Sequence, residues 1–442
     1  MTLLGYALDP HHPERTDSEV VRSLVESLGS WRDCLERTRS LGGRWALVVR
    51  DGRQDVLFHD AAGQRQVHHG RDAASGAVVA ATSAGLVART LGAPRDPAAM
   101  EFMAARAGGD GSVFWMPGDR SVHEGVRALL PNHVLDLRTG ESHRFWPAPG
   151  EVATCDADPA SEATRLLRAM LDAARRRFPL AVSMTAGWDS RLMLALSRPI
   201  SSEVYCFTLL GPDTPRSSRD VVVPSRLLRR LGLEHHVLPY PTRIDEGLRE
   251  RFREGVDAVK EAYSADIQAI RDAYTASRVC VTGDVAEVVK CYVQHDGPAP
   301  PGAADLARLT AIGQFPFALA AFEDWLRGVP ASGIDLLDLF AWEQTAGRWQ
   351  ALIRAEYDIV QECLAPLNCR DLLVAMLSTD RSLRRPPEHA FLRDLIGRLW
   401  SDVLSEPINP PERPTARARA GRLLRTLGLY DWVPARLKRG RG

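Results

Sequence analysis

Hydrophobic and polar positions along this 442-residue chain change their period after roughly the first third. Before residue 150 the apolar positions come in short runs divided by turn residues, which is the strand pattern. Residues 42–51 read as a strand ending in a turn, 55–60 as its hairpin partner, and 63–69 as the opening of a third strand. Further strands are predicted at 77–81 and at 133–137, the latter after the turn Leu130, Pro131, Asn132. From residue 160 onward strands alternate with helical spacing. The apolar run 180–184 is a short buried strand, small residues Thr185, Ala186 and Gly187 turn the chain, and helical spacing resumes at Ser190. A second strand is predicted at 203–209, a helix over 220–231 closed by Gly232, a third strand at 235–238, and another from Val279 into a turn at Gly283. This β-α-β-α-β rhythm predicts a parallel sheet flanked by helices, with a ligand at the carboxyl ends of its strands.

The strand-turn-helix at 180–194 brings candidate chemistry into that frame. Consecutive amides at a helix N-terminus make an anion site. Asp189 at its mouth is a natural magnesium ligand, and the Ser190 and Thr185 hydroxyls suit phosphate oxygens. At the second turn, Asp284 and Glu287 stand three apart, so both face one way on a first helical turn, toward a metal held by Asp189. Lys290 follows; Lys260, Lys290 and Lys438 are the only lysines in a chain rich in Arg. Lys290 reads either as a point charge for leaving phosphates or as a solvated surface group. His235 and His236 fit strand-end packing or a catalytic role.

The segment Gly187, Trp188, Asp189, Ser190, Arg191 resembles the S-G-G-x-D-S pyrophosphate loop of ATP pyrophosphatases, in the variant of asparagine-synthetase-like proteins, with Thr185 for the usual Ser and Ala186 for the first Gly. The stretch 231–236 resembles the segment that follows the same helix in asparagine synthetases, and 282–288 their S-G-E-G-x-D-E motif. The resemblance implies that Thr185, Ala186, Gly187, Asp189, Ser190, Gly283 and, from the second strand, Phe207 hold ATP and pyrophosphate. It implies that Asp189 and Glu287 bind magnesium, and that Asp284 lies near the incoming nucleophile. Val285 and Val288 depart from the motif's second Gly and final Glu. Residues 342–349 and 366–373 are similar to the family's C-terminal helical part, which makes Arg348 a candidate phosphate or carboxylate clamp; a helix-end salt bridge is the other reading. The lysine that family members acting on amino-acid carboxylates carry near the end of the domain has no equivalent around 386–389.

The first 150 residues resemble the glutaminase domain of glutamine-dependent amidotransferases through the phrases at 43–51, 60–65 and 129–140. Those enzymes place a Cys after the initiator Met. This chain begins Met1, Thr2, Leu3, without the intrinsically more nucleophilic thiolate. Thr2 as an N-terminal nucleophile lacks the arginine and Asn-Gly-Glu phrases that hold glutamine, so a retained but glutaminase-dead domain is expected.

Formal net charge is zero, which leaves no global footprint for nucleic acid, and seven cysteines at no paired or zinc-like spacing suggest reduced core thiols in a cytoplasmic protein. Residues 147–159 read as a linker and 297–304 as a loop able to cover the site. The basic, Leu-containing tail beyond Pro411 reads as a weak membrane-surface contact or as a terminus docked on its own protein.

The expected fold class is an α+β glutaminase-like (Ntn-type) sandwich at 1–147, a linker at 148–160, an α/β parallel-sheet ATP-pyrophosphatase (adenine nucleotide α-hydrolase-like) domain with C-terminal helices at 161–410, and the tail at 411–442. The resemblance implies an AMP-forming ligase using ATP and Mg2+. It would join a small-molecule or peptide carboxylate to ammonia or a substrate amine, in a specialised biosynthetic pathway and as a possible homodimer. Two alternatives remain open: a non-catalytic ATP-binding or scaffold homologue, and another kind of adenylating enzyme.

Overall fold

The fold is described from a computed structural model over residues 1–27, 29–52, 54–107, 115–211, 214–255, 263–273 and 278–411. The basic tail from residue 412, with Lys438, and Lys260 lie outside the described residues.

The N-terminal part contains two antiparallel sheets. The first orders its strands β1 (Thr2–Leu8), β2 (Gly42–Arg50), β3 (Asp55–His59), β7 (His133–Asp136) and β8 (Ser142–Arg144); the second orders β5 (Val78–Ala81), β4 (His68–Arg71) and β6 (Arg127–Ala128). The two-residue period of β2 and β3 sorts their side chains into two cores. Ala46 and Leu57 meet Val67 and Leu129 between the sheets, whereas Trp45, Leu47, Val49, Val56 and Phe58 pack beneath helices α1 (Asp17–Glu26) and α2 (Trp31–Arg37). Helix α3 (Ala84–Leu91) covers the second sheet through Val87 and Ala88. The order of layers is helix, sheet, sheet, helix.

A five-stranded, wholly parallel sheet forms the second part, in the order β11 (His236–Leu238), β10 (Tyr205–Leu209), β9 (Leu180–Ser183), β12 (Val279–Val281), β13 (Cys363–Leu364). Both faces are buried, as a parallel sheet requires. Val182, Cys206 and Val281 lie in the core shared with the helix Pro159–Arg175, and Ala181, Phe207 and Cys280 in the core shared with Leu248, Phe252 and Ile267. The helix Pro159–Arg175 begins with Asp158 capping Ser161, so the last position of the predicted linker is its first turn. The parallel sheet thus sits where the rhythm of the sequence placed it.

The two parts share a polar seam. Buried Arg44 ion-pairs with Asp358 (2.5 Å) and with Glu362, and Arg65 pairs with the same two carboxylates at 3.2 and 2.7 Å. Tyr6 donates its hydroxyl to the Cys363 carbonyl at 2.7 Å. Asn368, in the phrase at 366–373, donates to the Gly43 carbonyl and the Asp60 carboxylate and accepts from the Ala62 amide. The π-helix Ala341–Gln350 forms the rest of the seam, where Gly347 is required because a Cβ would lie 2.3 Å from Pro131 Cγ. Among the described residues no helix is long and apolar enough to cross a membrane.

Candidate functional site

Strand β9 ends at Ser183 and the chain turns through Thr185 to Gly187 into the helix Trp188–Leu196. Gly187 caps that helix with extended backbone and no side-chain bond, which leaves the positive end of the helix facing outward. Ser190 fastens the turn: its hydroxyl accepts from the Thr185 amide at 3.2 Å and lies 3.0 Å from the Thr185 hydroxyl. The neighbouring loop comes from β12. Gly283 carries it across the helix start so closely that a Cβ there would lie 2.4 Å from Asp189 Cβ. No residue larger than Gly fits at that crossing.

Between these loops, at the carboxyl ends of the strands, is a cavity of about 200 Å³. Thr185, Asp189, Ser190, Phe207, Gly283, Asp284 and Glu287 line it, so the structure brings together residues predicted from two distant stretches. Lys290, at the end of the short helix Ala286–Val289, pairs with two of these carboxylates. Its ammonium lies 2.8 and 2.6 Å from the two Asp189 carboxylate oxygens and 3.2 Å from Glu287 Oε1. Burial alone would lower the Lys290 pKa, but the Glu287 and Asp189 carboxylates outweigh it and hold the group well above its ordinary value. Burial pushes Asp189 up to about 6, with Lys290 pulling it down and Glu287 and Asp284 adding to the rise. Lys290 is the one lysine among the described residues, and it is paired with Asp189 and Glu287 rather than solvated at the surface.

The two carboxylates that the resemblance assigns to magnesium are therefore engaged by an ammonium, and as placed they do not fit a divalent ion. Among the described residues no group of three or more His, Cys, Asp and Glu is arranged to hold a metal. Asp284 is also paired. It accepts from the Thr282 hydroxyl at 2.9 Å and forms an ion pair with Arg354 Nε at 2.9 Å.

Arg348 lies outside this cavity, which corrects its reading as a clamp. It is buried on the far side of the π-helix, donating to the Met116 and Arg120 carbonyls at 3.4 and 2.6 Å. Gln344 and Arg348 face the N-terminal part, while Gln350 and Arg354 face the site. Neither Gln350 nor Arg354 was identified from sequence, because their partners at Val285 and Asp284 are distant in the chain. Gln350 accepts from the Val285 amide at 2.8 Å and donates to Glu287, so it orients the acidic turn. Val285, at the position of the motif's second Gly, keeps a left-handed φ of 73°.

Asp220 was missed as well. Its carboxylate accepts from the Ala186 amide at 2.9 Å and so takes up one donor of the loop. Arg191 points away from the cavity and donates to the carbonyls of Val403, Glu406 and Pro407. It thereby anchors the C-terminal segment whose Asn409 amide donates to the Ala186 carbonyl at 2.9 Å. His235 bridges the Thr208 and Ser225 hydroxyls, each at 2.9 Å, and His236 stacks on Tyr205, which is the packing reading of that pair. Residues 297–302 contribute nothing to the cavity lining and lead into the helix Ala303–Leu309.

No protein-family model and no curated protein matches the chain. Among solved structures, a glutamine-dependent NAD+ synthetase from Acinetobacter baumannii in complex with ADP is similar at 15% identity, with a TM-score of 0.22. The similarity covers 56% of this chain and 55% of that one, so the chain spans about half the length of that structure.

Proposed function

We propose that the chain is an asparagine-synthetase-like, ATP-dependent ligase that activates a carboxylate as its adenylate with release of pyrophosphate, and then releases AMP as an amine or ammonia closes the amide. The observation that carries this reading is the crossing of two strand-end loops at Gly283. It sets the Thr185 and Ser190 hydroxyls and the Asp189, Asp284 and Glu287 carboxylates around one cavity at the carboxyl ends of a parallel sheet, with the Lys290 ammonium paired to Asp189 at its edge. Charge develops on the departing pyrophosphate, and fixed donors aimed at it stabilise the transition state most. On this reading the loop and Lys290 receive the pyrophosphate, while Arg354 fixes Asp284 beside the attacking group. The N-terminal part is a glutaminase-like domain without its nucleophile: Thr2 is exposed at the start of β1, opposite Val48. The amine then comes from free ammonia or from a substrate.

Product analysis tests the proposal. The protein is incubated with ATP and a panel of carboxylates and amines and followed by 31P NMR. AMP with pyrophosphate supports it, and ADP with inorganic phosphate contradicts it. Asp189→Asn removes the charge that holds Lys290 and is expected to lower pyrophosphate formation by about 100-fold or more. A second reading, a homologue that binds ATP without turnover, is favoured by one observation: Asp220 already takes up the Ala186 amide. Stoichiometric ATP binding without AMP across the panel would support that one.

A further inference from the structure

We propose that Lys290 is the resident cation of this site, its ammonium standing between Asp189 and Glu287 where a divalent ion would sit, so that this carboxylate pair binds no metal of its own. The inference deepens the ligase reading only in naming phosphate as what the ammonium faces.

Three observations converge on it. The Lys290 nitrogen is 2.6 to 3.2 Å from three carboxylate oxygens on two different elements. Magnesium needs its oxygens at about 2.0–2.1 Å in near-octahedral array, so ion and ammonium cannot share that centre. Next, the surroundings hold the arrangement in place. Gln350 engages the second oxygen of Glu287 and is itself fixed by the Val285 amide, and the Lys290 side chain is only 12% exposed. A displaced ammonium would leave the buried Glu287 carboxylate and the half-buried Asp189 carboxylate without their counter-charge. Finally, the choice of residue is selective: the chain has 56 Lys and Arg residues, of which three are Lys. A guanidinium is a broad planar fork, whereas an ammonium is a compact point charge with three donors, the shape that suits a position between two carboxylates. Asp189 and Glu287 are then positioning residues that hold the ammonium beside the first turn of the helix Trp188–Leu196.

Manganese titration of the full-length protein, read by electron paramagnetic resonance without nucleotide, tests this directly. Wild type is expected to take up no tightly bound Mn2+. Lys290→Met, which keeps the length of the side chain and removes the charge, is expected to gain one equivalent, lost again in Lys290→Met with Asp189→Asn. Thermal melts verify folding, and Lys290→Gln serves in the same way if the Met variant does not fold. Wild-type Mn2+ uptake that Asp189→Asn abolishes would overturn the proposal, and so would a folded Lys290→Met and Lys290→Gln that both bind none. The titration needs no nucleotide. A protein that behaves as expected toward Mn2+ yet binds no ATP would contradict the ligase reading alone.

Discussion

Gly283 and Asp189 touch backbone to backbone: a Cβ on Gly283 would meet Asp189 Cβ at 2.4 Å and its Cα and carbonyl carbon at 3.0 Å. Two loops nearly a hundred residues apart thus share one crossing, and the cavity exists because that crossing is tight. Gly283→Ala must push main chain aside rather than a flexible side-chain end. Overpacking of this kind costs about 1–3 kcal/mol. A Tm several degrees lower, with ligand binding reduced more than stability, is the expected result; an Ala variant with unchanged melting and binding would show that the crossing is looser than described.

Val285 poses a conflict that magnitudes decide. Its left-handed backbone costs about 1–2 kcal/mol, which Gly would relieve. The side chain is also fully buried, and losing it costs about 1.5–3 kcal/mol, with about 0.5–1 kcal/mol more for the freedom Gly has in the unfolded chain. Burial wins. Val285→Gly is expected to be less stable by about 1 kcal/mol in urea unfolding, even though it restores the residue of the motif it resembles; a gain in stability would show that strain dominates.

Acid sensitivity follows from buried histidines. Burial drives His68 down to about 3, helped by the nearby Arg348 charge, and takes His69, His133 and His235 to about 4. Between about pH 6.5 and 4 the unfolded chain binds protons at these positions and the folded chain does not, so stability is lost as pH falls through that window. The rate is about 1.4 kcal/mol per pH unit for each histidine. Asp189 and Asp266, both raised to about 6 chiefly by burial, act in the opposite direction over much of the same range. Four histidines outweigh two carboxyls. Denaturant midpoints measured from pH 7 to pH 4.5 should fall; a rise would mean that these histidines are protonated in the fold.

The seam at Arg44 makes the N-terminal part a support for the site. Its guanidinium, 1% exposed, is shared by Asp358 and Glu362 directly beyond the helix that carries Arg354. Removing one partner of a buried pair strands the others, at a cost of about 3 kcal/mol. Arg44→Met is expected to melt both parts together at a lower temperature. If only the N-terminal part were destabilised, the seam would not couple them.

Legibility in the sequence followed how local each feature is. The loop at Thr185–Ser190 and the acidic turn at Asp284 and Glu287 were readable because small residues, a preceding apolar strand and a fixed spacing encode them within a few positions. The helix Pro159–Arg175 escaped notice because the Pro-containing stretch before it concealed its capping Asp158. Arg354, Gln350 and Asp220 escaped for a different reason. Each acts through a partner at least 34 positions away, which no local residue pattern marks. Lys290 was visible as a rare lysine three residues after Glu287, but its pairing with Asp189, which places it between two carboxylates, belongs to the tertiary arrangement.

Calorimetric titration of ATP into the full-length protein tests the central claim most directly, with Gly187→Glu as the comparison. Gly187 has ordinary extended backbone, and a Cβ there meets only the Thr185 hydroxyl at 3.3 Å and the Asn409 side chain at 3.7 Å, so the added carboxylate is accommodated at the mouth of the loop. The account predicts one ATP per wild-type chain, displaced by inorganic pyrophosphate, and no measurable binding to a Gly187→Glu protein that melts within a few degrees of wild type. Equal ATP binding by both proteins, or none by the wild type, would contradict it.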